Sequence, residues 1–167
     1  AKKTKTGFSI LVLTNDNEYT TYNCRYAIFA TGGIGRVYEY TTNSAIATGD
    51  GITIAHELGA EIKNLSYIQF HPTGFNNKHT RETFLISESV RGEGAYLKNC
   101  NGERFMQNYD DRLELAPRDV VSHAIMAEAK KTGSDKFYLD ITHKDPEFVR
   151  NRFPMINEKL LDAGYDM

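Results

Sequence analysis

Cysteine is scarce in this sequence, long apolar runs are missing, and neither sign of charge is in excess. Each shortage removes a class of function. The two cysteines, Cys24 and Cys100, have no CxxC spacing. They give no disulfide framework and no thiolate metal site, and read as buried or incidental thiols of a reducing compartment. A membrane helix needs ~20 consecutive apolar residues, and no run approaches that length. The basic start Ala1-Lys2-Lys3-Thr4-Lys5 leads only into the short run Phe8 to Leu13, too little for a signal peptide. Lys and Arg number 20 against 22 Asp and Glu, interspersed, for a net charge of −2. That balance points away from nucleic acid and from a polybasic membrane anchor. Repeats, low-complexity tracts and an interdomain linker are also missing. What remains is 167 residues, 40% hydrophobic and 25% charged, enough for one ordinary domain or two partial ones. The chain has no initiator Met and enters a strand pattern almost at once, which reads as a piece of something longer.

Turn and cap residues divide the chain into elements. Phe8 to Leu13 is a strand, and Asn15-Asp16-Asn17 turns it into a second arm over Glu18 to Asn23. Tyr26 to Ala30 is continuously apolar, the pattern of a strand buried on both faces. It runs into Thr31-Gly32-Gly33-Ile34-Gly35, where missing side chains let the backbone approach a neighbour closely. Such a turn can present N–H groups to a phosphate or a planar cofactor, or it can be a tight turn with no ligand. It is not G-x-G-x-x-G. Thr48-Gly49-Asp50-Gly51 opens a helix over Ile52 to Leu58, which Gly59 closes. Asp50 reads either as its N-cap or as a contact to a cofactor. Tyr67 to Phe70 is a strand leading into His71-Pro72, and the proline holds His71 extended. Asn76 to His79 is a polar loop, and Thr83 to Ile86 resumes the apolar pattern. Asn101-Gly102 turns a hairpin between Ala95–Lys98 and Arg104–Met106. Pro117 starts a helix to about Lys131, periodic in Val121, Ala124, Ile125 and Glu128 and stopped by Gly133. A strand at Phe137 to Asp140, a short helix after Asp145-Pro146, and a helix from Pro154 to Ala163 follow.

The stretch from Gln69 to Arg118 gathers the chemistry. It holds His71, the hydroxyl of Ser87, the carboxylates of Glu88 and Glu93, and the guanidinium groups of Arg91 and Arg118, most of them beside Gly or Pro. Fixed cations with a histidine and a carboxylate suit gripping and deprotonating a small dicarboxylate. A set of ordinary surface salt bridges would use the same residue types. Glu88 and Arg91, three apart, share a face on a helical turn. Arg118 stands at a helix N-terminus, the end where the dipole disfavours a cation, which argues for a ligand rather than stability.

In order and spacing, the motifs Ala30-Thr31-Gly32-Gly33, Thr48-Gly49-Asp50-Gly51, Gln69-Phe70-His71-Pro72-Thr73, Glu88-x-x-Arg91-Gly92-Glu93-Gly94 and Arg118-Asp119-Val120-Val121 resemble the flavoprotein family of succinate dehydrogenase, fumarate reductase and L-aspartate oxidase. The resemblance covers the chain from about Tyr26 onward. Glu114-Leu115-Ala116-Pro117-Arg118-Asp119, Leu139-Asp140-Ile141-Thr142-His143-Lys144 and Phe153-Pro154-Met155-Ile156 look most like its L-aspartate oxidase branch.

The resemblance implies an α+β chain: the end of a FAD-binding α/β domain over residues 1–67, then an α+β capping domain over 68–167. FAD would lie against Thr31, Gly32 and Gly33, with Asp50 helping to bind it. His71 and Ser87 would hold substrate carboxylates. Arg118 would shuttle the proton at the reacting carbon, with Glu88 and Arg91 leading it to or from solvent. A purely electrostatic clamp is the other role open to Arg118, because guanidinium stays protonated in proteins. The implied reaction is oxidation of L-aspartate to iminoaspartate, electrons passing to oxygen or fumarate, at the start of NAD biosynthesis in the cytoplasm. Quinolinate synthase is then the downstream partner. A fumarate reductase or succinate dehydrogenase flavoprotein subunit, or a non-catalytic capping-fold binding module, are the rival readings. Two departures stand out. Many relatives have Thr where this chain has Ser87. The family's N-terminal Gly-x-Gly-x-x-Gly segment and its C-terminal substrate His and Arg are absent, so this chain alone is expected to bind FAD poorly and to be inactive.

Overall fold

The computed structural model describes residues 1–75 and 81–167; the polar loop expected at 76–79 lies outside them. The chain divides into two compact units, Ala1–Tyr67 and Ile68–Met167. Helices and short antiparallel strands are mixed throughout, the expected α+β composition.

The first unit opens with a three-stranded antiparallel sheet, β1 (Lys2–Thr4), β2 (Gly7–Leu13) and β3 (Tyr19–Cys24). The expected hairpin is β2–β3, with Ile10 opposite Tyr22 and Leu13 opposite Tyr19. Asn17, at φ 59°, makes its turn, a left-handed position that Asn tolerates. β1 adds an outer strand that the basic start did not announce. Helix α1 spans Asp50–Glu57, and Gly59 follows it at φ 85°, the left-handed conformation a helix end favours.

The buried strand expected at Tyr26 to Ala30 does not form. The segment is not paired in any sheet, and Tyr26 and Ile28 are 83% and 94% exposed. A strand buried on both faces needs neighbours on both edges and layers above and below. The described residues supply none. Ala47 is the sole buried apolar residue described in this unit. Tyr67 to Phe70 is likewise irregular, and the pairing occurs one step later, between β4 (Gly74–Phe75) and β5 (Phe84–Leu85).

The second unit has the core. Helix α2 (Glu88–Gly92) and strand β6 (Tyr96–Lys98) are followed by helix α3 (Arg118–Thr132). Strand β7 (Tyr138–Asp140) pairs antiparallel with β6, and helices α4 (Pro146–Arg152) and α5 (Pro154–Asp162) close the chain. Asp145 caps α4 by accepting the Phe148 N–H at 2.8 Å, and Pro154 starts α5 at a position where a helix needs no N–H. Pro117 is the residue just before α3, and Gly133, at φ 67°, ends the helix.

Two apolar clusters hold the unit together. One joins Val90, Ala95, Ile141, Val149, Phe153 and Ile156; the other joins Leu97, Phe105, Met106, Ala116, Val121 and Ala124. Leu139 on β7 packs against both. The expected Asn101-Gly102 turn is present, but its second arm makes a single bridge, Lys98 with Arg104, before the chain coils into a 3-10 turn at Met106–Asn108.

Candidate active site

Four of the residues singled out in the second unit converge. Ser87 is the N-cap of α2, so Glu88 and Arg91 stand on the first turns of a short helix and face the same way. Arg91 Nη2 donates to Glu88 Oε1 at 3.0 Å. Arg118 leads α3 and donates from Nε and Nη2 to Glu88 Oε2 at 2.9 and 2.8 Å. One carboxylate thus bridges two guanidinium groups. That bridge also answers the dipole problem: the cation at the α3 N-terminus is neutralised by a carboxylate from another helix.

The two arginines are held differently. Arg118 is partly exposed. Arg91 is 1% exposed, and its Nη1 donates to the Glu114 carbonyl at 2.6 Å and the Ala116 carbonyl at 3.4 Å. Glu114 is itself buried, accepting from the Leu97 N–H and from Nε and Nη2 of Arg104. The segment that grips Arg91 is therefore anchored from behind by an ion pair. Burial, and secondarily the charge of Arg118, push the Arg91 guanidinium below its ordinary value, with Glu88 opposing them. The hydrogen bond from Arg118 holds the Glu88 carboxyl below the usual carboxylate range, and both arginine charges add to that effect. Glu88 is consequently ionised at neutral pH.

His71 lies against this cluster. Its Nδ1 accepts the Thr73 N–H at 3.3 Å, and the Thr73 hydroxyl is spent on the Ile86 carbonyl at 2.8 Å. Nδ1 is thus an acceptor, and the ring proton sits on Nε2. Nε2 is buried and has no partner among the described residues. Burial lowers the His71 pKa, and Arg118 and Arg91 lower it further against the opposing charge of Glu88. The ring is a neutral donor. Ser87 shares the chain segment but makes its own contacts with Ser89, at 3.3 Å to the N–H and 2.8 Å to the hydroxyl. It also borders an open apolar groove between Phe84, Leu85 and Met155.

In the first unit Thr31, Gly32, Gly33 and Asp50 come together. The Gly33 carbonyl accepts the Gly49 N–H at 3.1 Å, which ties the glycine turn to the start of α1. Gly49, at φ 85°, is the N-cap, and Asp50 is the first helical residue. The N-cap reading of Asp50 is therefore corrected: Gly49 takes that position, and the Asp50 side chain stays exposed. Thr31 packs so closely on α1 that a Cβ at Gly51 would collide with its hydroxyl. Gly32 is at φ 77°, and side chains at Gly32 or Gly33 would project into open space. Bare backbone with room above it fits the approach of a planar group, so these residues fit FAD. No group of His, Cys, Asp and Glu able to hold a metal ion occurs among the described residues.

Gln69 and Thr73 join this cluster through hydrogen bonds that residue types alone did not assign. Gln69 Oε1 accepts from Arg118 Nη1 at 3.2 Å. Their signal was available: in extended chain, residues 69, 71 and 73 project to one side. The anchoring by Glu114 had no local signal, because it runs through a backbone carbonyl.

The sequence pattern of the FAD binding domain family matches residues 4–166. An L-aspartate oxidase of Yersinia pestis is 50% identical over 88% of this chain and 27% of its own length. An L-aspartate oxidase of Clostridium perfringens is 48% identical over 91% of this chain and 34% of its own. This chain thus spans about a quarter to a third of these curated relatives. Among solved structures, a quinol-fumarate reductase with menaquinol molecules superposes with a TM-score of 0.78 at 33% identity, over 89% of this chain and 28% of that one. The E. coli quinol fumarate reductase gives 0.71 at 36% identity, over 78% and 25%. With a matching pattern along nearly its whole length and relatives at this identity, the chain belongs to the FAD binding domain family.

Proposed function

We propose that the full-length protein is an FAD-dependent L-aspartate oxidase, to which this chain contributes the end of the FAD-binding domain (residues 1–67) and the capping domain (68–167). The observation that carries this reading is the Glu88 carboxylate bridging Arg91 and Arg118 beside a neutral His71. Two cations against one anion leave the cluster a net positive charge, which a dicarboxylate would meet.

When bound, FAD supplies a two-electron acceptor for the hydride leaving the substrate Cα. The protein side of the reaction is binding and proton handling. His71 Nε2–H and the Ser87 hydroxyl donate to carboxylate oxygens. Arg118 spends three of its guanidinium hydrogens on Glu88 and Gln69; already protonated, it would take up the proton leaving the substrate nitrogen only as it passes one of its bonded hydrogens to Glu88. Its Nε–Nη2 edge, the usual seat of a side-on carboxylate, is occupied by Glu88. That occupancy supports the proton-shuttle role over a side-on clamp. Glu88, exposed and kept below the usual carboxylate range, is suited to pass a proton to solvent rather than store it. Thr31, Gly32, Gly33 and Asp50 would hold FAD, and the cap would exclude water during turnover.

Electrons would pass to oxygen or fumarate. The product, iminoaspartate, would feed NAD biosynthesis in the cytoplasm, with quinolinate synthase next in line. No helix among the described residues is long and apolar enough to cross a membrane. A fumarate reductase flavoprotein subunit is the second reading, supported by the superposition on quinol-fumarate reductases. Steady-state assays of purified full-length protein separate the two. Turnover of L-aspartate with oxygen, and none of succinate, supports the oxidase. Turnover of succinate alone would overturn it.

A further inference from the structure

Ser87 has one hydrogen to donate and two lone pairs with which to accept. Both lone pairs are in use: one takes the Ser89 N–H at 3.3 Å and the other takes the Ser89 hydroxyl at 2.8 Å. The remaining capacity of Ser87 is its single O–H. A side chain so committed can donate to a carboxylate oxygen but cannot accept from an ammonium group. Serine by itself does not reach this state, because its χ1 has three staggered wells. In threonine the branched Cβ restricts χ1. A serine needs another group to do the same, and the Ser89 hydroxyl is placed to do it.

We infer that Ser89 is a positioning residue that locks Ser87 as a donor-only contact, so that this end of the site takes a carboxylate and rejects the amino group of the substrate. The inference rests on the proposed role of Ser87 in holding a substrate carboxylate. Ser89 follows Glu88 directly and precedes Arg91 by two positions, so on α2 it faces away from the side that those two share, and its hydroxyl bonds Ser87. Its effect is therefore expected on binding rather than on the chemical step.

The test is a double-mutant cycle in full-length, FAD-loaded protein, reading the Kd of succinate by calorimetry and the KM and kcat for L-aspartate. Ser89→Ala is expected to raise both constants about three- to tenfold, the range of one lost hydrogen bond, while kcat changes less than twofold. In a Ser87→Thr background, where the methyl restricts the rotamer, the same Ser89→Ala change is expected to cost less than twofold. An unchanged Kd in Ser89→Ala would overturn the inference, as would an equal effect in both backgrounds, which would show Ser89 acting through helix stability. Ser87→Ala separates the layers. If it leaves succinate binding unaltered, the substrate role of Ser87 fails; if it weakens binding while Ser89→Ala does not, only the positioning role fails.

Discussion

Burial and two neighbouring cations keep the His71 ring neutral, and this has a consequence for stability that runs with pH. Above the ordinary histidine value of about 6.5, folded and unfolded chains both carry a neutral ring, and His71 contributes nothing to the pH dependence. Below it the unfolded chain takes up a proton that the folded chain resists, so stability falls as pH drops, until the lowered folded value is passed. Chemical unfolding of the full-length protein at pH 7.0 and pH 5.5 (values chosen either side of that pKa) should therefore show a loss of stability on acidification that His71→Asn reduces. Glu88 acts in the same sense but in a lower pH window. Its folded value is depressed, so the stabilisation from its ion pairs is present above the ordinary carboxylate pKa and is lost only as pH falls through the lowered one. Over that same interval Glu88 stays ionised, and the acid loss is carried by His71.

Among the elements, α3 joins the site to the core. Its first residue, Arg118, is tied to Glu88, and its buried face carries Val121, Ala124 and Glu128. Glu128 is 1% exposed and accepts from Asn99 Nδ2, the Tyr109 hydroxyl and Lys131 Nζ. A carboxylate on the apolar face of a helix is tolerable only when its lone pairs are met in this way. Glu128→Ala leaves one hydrogen of the buried Asn99 amide without its partner and opens a cavity. Thermal or denaturant unfolding should show a loss of about 2–4 kcal/mol, whereas Glu158→Ala, outside both apolar clusters, should cost under about 0.5 kcal/mol. The periodicity of α3, its proline start and its glycine stop were all legible in the sequence, as were α1, α4, α5 and the β2–β3 hairpin, because each is decided by neighbours within a few positions. Tyr26 to Ala30 and Tyr67 to Phe70 were not, since a strand is made by its partners and apolar residues alone do not supply them. At the site, the Glu88–Arg91 pairing followed from helical spacing, while Gln69 meeting Arg118 across 49 positions and the carbonyls gripping Arg91 depend on tertiary placement.

The two units differ in what holds them together. Residues 68–167 enclose two apolar clusters that share Leu139. Residues 1–67 bury Ala47 and little else that is apolar, while Leu11, Leu13, Tyr22, Tyr26 and Ile28 remain more than half exposed. Burial of apolar area is the main driving force for folding, so the expected outcome for separately expressed segments is unequal. Residues 68–167 should give a cooperative thermal transition by circular dichroism, and residues 1–67 should give none and should aggregate. A cooperative transition in the shorter segment would contradict this division. The curated relatives are roughly three times as long as this chain. The most direct measurement of the proposed chemistry is anaerobic rapid mixing of full-length, FAD-loaded protein with L-aspartate, following loss of the oxidised-flavin absorbance in wild type and in Glu88→Gln. If Glu88 relays the proton for Arg118, reduction should be fast in the wild type and slower by ~100-fold or more in the variant, the scale of a lost general acid–base group, with L-aspartate still bound. Equal rates of reduction in the two proteins, or a wild-type flavin that L-aspartate leaves oxidised, would contradict the assignment.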